Sequence, residues 1–356
     1  MKSAREVVSE DLEYITTTLK SEFEQIGDER LLVVGGAGFL GYYLVQSAVK
    51  AGIDVTVYDN FVRGVPDWLT QLQENPKLTV RRHDVTDPMP ADADFGYLIH
   101  AGSIASPTFY RDRPIETMDA NVNGLRNLLD WTLQHPVKGF LFYSSSEIYG
   151  DPDPAHIPTP EDYRGYVSCT GPRACYDESK RYGETLCVNF ARVHGTPVKV
   201  ARPFNNYGPG LKISDRRVIP DFARDVINGR DIVMLSDGSP KRTFCYVADA
   251  VIGYYKVLVN GHKGEAYNIG VETPEISMYE LANRVVELGR ELFGYTGKIV
   301  RQESTDADYL VDNPNRRCPV ITKAREHVGY HPTVGLDEGL RRSMLWYADH
   351  REAEDR

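Results

Sequence analysis

No run of apolar residues approaches the length of a membrane span, and the acidic N-terminal stretch has no apolar core of the kind a signal peptide needs. Cysteine is sparse: Cys169, Cys175, Cys187, Cys245 and Cys318 are odd in number and widely spaced, with no Cys-x-x-Cys pair. That pattern excludes a disulfide framework, offers no metal site, and fits reduced thiols in a cytoplasmic protein. Positive charge is in deficit, 41 Lys and Arg against 51 Asp and Glu, so a net charge of −10 argues against nucleic acid as a partner. Internal repeats and low-complexity linkers are missing too. What remains is a chain of ordinary globular composition, long enough for a large core and one or two domains.

The most regular stretch is residues 31–41, a short β-branched run followed by glycines and then a helical pattern from Tyr42 to Ala51. Gly35, Gly38 and Gly41, with Phe39 and Leu40 between them, form a strand–turn–helix phosphate cradle: the backbone turns sharply, approaches a pyrophosphate, and presents free helix N–H groups to it. The next strand, 54–58, ends at Asp59 and Asn60. A carboxylate about 20 residues past the glycines can bind both ribose hydroxyls and repels a 2′-phosphate, which favours NAD over NADP. Arg63, close by, weakens that preference. Further strands end at Asp84–Val85, placed for an adenine amino group, at Ala101, whose small side chain leaves room for the cofactor, and at a serine run, 144–146. Alternating strands and helices predict a parallel, doubly wound α/β sheet of Rossmann type with ligands at the carboxyl strand ends.

Tyr176 and Lys180 lie four apart and share a helix face. A neighbouring ammonium, helped by a positive nicotinamide ring, is expected to lower the phenol pKa, and a serine hydroxyl from the 144–146 run can hold a substrate alcohol against the phenolate. Upstream, Leu12, Ile15, Leu19 and Phe23 follow a helical stripe among acids, which predicts a helix docked on the body or on a second subunit.

Together GGAGFLG, Asp59, the serine run and the Tyr176/Lys180 pair resemble the extended short-chain dehydrogenase/reductases that modify nucleotide sugars, from about Leu31 onward. Residues 201–210 and 242–249 fit the same family. The resemblance implies a helical extension (1–29), an NAD-binding Rossmann domain (30–202, with later returns near 240–270) and a mainly substrate-binding lobe (203–356). It implies Pro203 beside the nicotinamide, Tyr110, Ser146, Asn205 and Arg242 around the substrate, and a homodimer built on two helices per subunit. Within the family, SSSEIYGDP, GPRACYDESK, Ala105-Ser106-Pro107 with Tyr110, and Arg317 are similar to the UDP-glucuronate decarboxylases. Ser145 in place of threonine, Thr108-Phe109 in place of a proline and its neighbour, and Cys318 in place of lysine depart from that pattern.

The implied chemistry is oxidation, decarboxylation and reduction at one site. Tyr176 with Lys180 acts as base, Ser145 orients the C4 hydroxyl, Glu147 lies near C5 and C6, Arg317 binds the carboxylate or delivers the C5 proton, and Arg242 holds the diphosphate. A 4,6-dehydratase is disfavoured because Ser146 stands where an acid is needed. A nucleotide-sugar 4-epimerase uses the same Tyr/Lys/Ser set and stays open as the rival, with a non-catalytic NAD-binding scaffold as the remote one.

Overall fold

The computed structural model describes residues 2–302, 304 and 311–351. Its centre is a seven-stranded, wholly parallel sheet. Six strands are β1 (Leu31–Val34), β2 (Val55–Asp59), β3 (Leu78–Arg82), β4 (Tyr97–His100), β5 (Gly139–Tyr143) and β6 (Val198–Pro203). The seventh, Ala266–Ile269, pairs with β6, and the order runs from it through β6, β5, β4, β1 and β2 to β3. The order reverses between β1 and β4, where a doubly wound sheet opens its ligand crevice.

Strand alternation sorts the core into two layers. Leu31 and Val33 of β1 join Val55, Val57, Ile99 and Leu141 on one face. Leu32 and Val34 join Leu98, Phe140 and Phe142 on the other. Helices cover both faces: α3 (Gly41–Lys50) and Val247–Asn260 on the first, Leu125–Thr132 and Ala174–His194 on the second. Such double cover is why β1, β4 and β5 read as nearly unbroken apolar runs.

The N-terminal stripe forms two earlier helices, α1 (Ala4–Thr18) and α2 (Lys20–Ile26), with Leu19 between them. Ser3 and Glu6 make a capping box at the start of α1. Ile15, Leu19 and Phe23 are buried and Leu12 half-buried, all packed on the body of the same chain. The periodicity did not disclose Asp11. This fully buried carboxylate accepts from Tyr43 Oη at 2.6 Å, from Tyr246 Oη, and from Arg342 Nη1 at 2.6 Å.

Beyond Pro203 the chain makes short paired strands. Lys241–Arg242 lies beside Ile276–Ser277 and, in parallel, beside Arg316–Arg317, so that Arg242 and Arg317 stand in register. Two residues seventy-five positions apart thereby reach the same wall of the crevice.

Candidate active site

The residues singled out from the sequence for cofactor, substrate and catalysis line one cleft of about 1600 Å³ at the carboxyl ends of the strands. A pocket for one ligand is typically about 300–1,000 Å³, so this one has room for a dinucleotide and a second nucleotide side by side.

Gly35 has φ +78°, and a Cβ there would lie 2.5 Å from Gly102 Cα. A Cβ on Gly41 would lie 2.0 Å from Gly36 O, so glycine is what lets α3 start against the strand end. Gly38 is different: its nearest neighbour would be Gly35 O at 3.3 Å, which leaves bare main chain turned to the cleft beside Phe39 and Leu40. The Asp59 carboxylate accepts from Ala37 N at 3.0 Å and Phe61 N at 2.8 Å, tying the end of β2 to the glycine turn. Burial pushes its pKa up. Asn60 Nδ2 donates to Asp84 at 2.8 Å, and Asp84 also accepts from the main chain and hydroxyl of Thr86. Asp84 therefore braces the rim as well as facing it. Val85 fills the space beside Gly124, Ala101 adjoins the Gly35 turn, and Pro203 closes β6. A glycine cradle at a helix start, with a carboxylate at the next strand end, fits the pyrophosphate and ribose of NAD.

Tyr176 and Lys180 project from the helix Ala174–His194. Tyr110 stacks on the Tyr176 ring at 5.0 Å and 13°. The phenol is pushed up to about 12 by burial, and the hydrogen bond with Ser145 is the first influence to oppose it. Lys180 does not overcome that burial. Its Nζ donates to Tyr143 O at 2.7 Å and sits 5.7 Å from the Tyr176 ring centre. Burial lowers the lysine itself to about 7. A phenolate at neutral pH thus requires a further positive charge in the cleft, and an oxidised nicotinamide ring is one.

Ser145, in the middle of the serine run, is extended and caps the short 3₁₀ turn Ser146–Tyr149, its Oγ accepting from Glu147 N at 3.2 Å. The turn buries Ser146 and aims Glu147 into the cleft wall.

Glu147 is not a bare carboxylate. Arg317 grips it with two hydrogen bonds, Nη1 to Oε1 and Nη2 to Oε2, both 2.6 Å. Arg173 Nη2 donates to the same Oε2 at 2.6 Å. Burial raises the carboxyl pKa, yet Arg173 and Arg317 outweigh it and hold Glu147 at about 2. The sequence reading placed Arg317 on the substrate and missed Arg173, although it stands three residues before Tyr176 in the run that drew attention. Its spacing was the available signal: Arg173, Tyr176, Asp177 and Lys180 share one side of a helix start. Asp177 is buried and pushed up to about 8, first by burial and then by Glu147.

Arg242 donates to Lys241 O, Pro314 O and Asn313 Oδ1 while still lining the cleft. Burial, then the charge of Arg317, lowers it to about 9. Asn205 has a left-handed backbone, φ 41°, and donates to Thr243 O at 2.9 Å, which presents Pro203–Asn205 as a shaped edge of the cleft.

The sequence matches the NAD dependent epimerase/dehydratase family over residues 31–270. It is 39% identical over 312 residues to UDP-glucuronic acid decarboxylase 5 of Arabidopsis thaliana, covering 87% of each chain. It is 36% identical over 328 residues to UDP-glucuronic acid decarboxylase 1 of Xenopus tropicalis, covering 91% of this chain and 73% of that one. Its fold superposes on an epimerase from Methanothermobacter thermautotrophicus with a TM-score of 0.81 at 26% identity, over 95% of this chain and 97% of the other.

Proposed function

The chain belongs to the NAD dependent epimerase/dehydratase family, and within it we propose that the chain decarboxylates a nucleotide-linked uronic acid, UDP-glucuronate, to UDP-xylose through a 4-keto intermediate. The observation that carries this reading is the Glu147–Arg317 pair, set in the same cleft as Ser145, Tyr176 and Lys180. An alcohol oxidation needs only Ser145, Tyr176 and Lys180. A guanidinium fork beside them supplies bidentate recognition for a carboxylate.

Residues of the glycine turn with Asp59, Asn60, Ala101 and Pro203 hold NAD, which when bound supplies the hydride acceptor for C4 and later the hydride donor. Tyr176 Oη takes the C4 hydroxyl proton while Ser145 Oγ orients that hydroxyl. The ketone formed at C4 is β to the C6 carboxylate, so the C5–C6 bond can break with its electron pair delocalised onto the ketone oxygen as CO₂ departs. Arg317 holds the carboxylate beforehand. Glu147 faces it and orders the water that protonates C5. Tyr176 then returns the proton to the C4 oxygen. Arg242 binds the diphosphate, with Tyr110, Ser146 and Asn205 shaping the sugar site, and Asp84 with Val85 bounds the adenine end. Ser146 lacks the acidity to expel a C6 hydroxyl, which weighs against a dehydratase.

We place the division of labour at residues 30–202 for NAD and 203–356 mainly for substrate, with 1–29 as an extension. A homodimer is supported by exposed apolar side chains on two helical segments, Ile115 and Met118 on one and Tyr182, Val188 and Val193 on the other. Five unpaired thiols support a reducing, cytoplasmic setting. No helix among the described residues is long and apolar enough to cross a membrane.

Incubating the protein with UDP-glucuronate and NAD in D₂O, followed by NMR, tests the reaction. CO₂ release with deuterium at C5 is the expected result. UDP-galacturonate without CO₂ would replace this reading by 4-epimerisation.

A further inference from the structure

We propose that Arg173 is a positioning residue that shares Glu147 with Arg317, so that Arg317 can turn to a substrate carboxylate without stranding Glu147 as an uncompensated buried anion. The inference rests on the decarboxylase reading of the same site.

Arg317 gives both of its terminal nitrogens to Glu147. A carboxylate-bearing sugar must compete with Glu147 for that fork. If Arg317 were the sole partner, its departure would leave a carboxylate with only 16% of its side chain exposed and no counter-ion. Removing one member of a buried pair is strongly unfavourable. Arg173 changes the balance. It is equally buried, it comes from the base helix and not from the substrate lobe, and it already donates to Oε2. Glu147 therefore keeps one charge-assisted hydrogen bond and one neutralising charge whichever way Arg317 points.

The other end of Arg173 is arranged for this. Its Nε is buried without a hydrogen-bond partner, and Asp177 Oδ2 lies 4.0 Å away on the next helical turn. Asp177 Oδ1 is likewise buried and unpartnered. A small shift closes that gap, so the guanidinium can tighten on Asp177 and Glu147 together. Tyr110 lies along the Arg173 guanidinium at 5.8 Å and stacks on Tyr176, which links the clamp to the base.

The test compares two ligands that differ at C6. UDP-glucuronate and UDP-glucose are titrated calorimetrically into the NAD-loaded wild type, Arg173→Gln and Arg173→Lys. Arg173→Gln should weaken UDP-glucuronate by at least about tenfold, the scale of one lost charge-assisted hydrogen bond, and UDP-glucose by less than about twofold. Arg173→Lys keeps the charge but not the fork and should fall between, and it carries the test if the glutamine variant does not fold. Parallel loss of both ligands, or loss of neither, overturns the proposal. Wild-type protein that binds UDP-glucuronate but releases no CO₂ overturns the decarboxylase reading instead, and the ligand ratio still judges Arg173.

Discussion

Replacing Glu147 by glutamine keeps the side-chain shape and removes the charge that holds two guanidinium groups together. Glu147 accepts three hydrogen bonds of 2.6 Å from Arg317 and Arg173. An amide has one oxygen, so at best it keeps the two bonds now made to Oε2. Its NH₂ then meets Arg317 Nη1, donor against donor, and the two cations lose the anion between them. Breaking a buried pair in this way costs about 3–5 kcal/mol. With an unfolding entropy of about 2.1 cal/mol/K per residue, a chain of 356 residues should lose roughly 4–7 °C in Tm. The same change frees Arg317, and a substrate carboxylate can occupy the anion's place. UDP-glucuronate should therefore raise the Tm of Glu147→Gln by several degrees more than UDP-glucose does, and more than it raises the wild type. CO₂ release should fall even as UDP-glucuronate binds more tightly. Thermal scanning fluorimetry with both ligands reads the stability side, and a CO₂ assay reads the chemistry. A Tm within about 1 °C of wild type, or equal rescue by the two ligands, would refute the charge reasoning.

Tyr176→Phe should abolish CO₂ release while the protein still carries NAD; retained turnover would remove the assignment of the base. Lys180 gives a pH signature. Its folded pKa is lowered by burial from 10.5 to about 7, so between those values the unfolded chain binds the extra proton and stability rises with pH. Melting curves across that window should slope upward in wild type, and Lys180→Met should flatten them. Asp11→Ala leaves Arg342 and two buried phenols without their common acceptor and should cost about 3–5 kcal/mol in denaturant unfolding. Asp11→Asn keeps an oxygen for both tyrosines but turns its NH₂ toward Arg342, which retains Glu338, and should cost less than the alanine change; equal losses would mean that the cluster is not what pins α1.

Much of the site could be read without coordinates because its signals are local. Glycine spacing sets a turn that other residues cannot make, and Gly35 and Gly41 meet main-chain atoms where a Cβ would sit. Asp59 follows from strand length, and Tyr176 with Lys180 from helical periodicity. The alternation of strands with helices signalled the doubly wound parallel sheet. Two features of the site stayed hidden for a common reason. Sequence gives which groups share a helix face, but not how deeply they are buried nor where a long side chain finds its partner. Burial acts on both the Tyr176 phenol and the Lys180 ammonium, whose Nζ is held by Tyr143 O, and the residue spacing shows neither. Arg317 was read against a substrate carboxylate, and its grip on Glu147 across 170 positions could not be seen from the sequence.

Local steric and hydrogen-bonding rules thus determined the cofactor turn, the strand-end carboxylate, the base helix and the family. The triad of Glu147, Arg173 and Arg317, the register of Arg242 with Arg317, and the seat of α1 on Asp11 were decided by the tertiary structure. Each depends on which distant surfaces close together and on how little water remains between them, and charge–charge energies are governed by that exclusion more than by residue type.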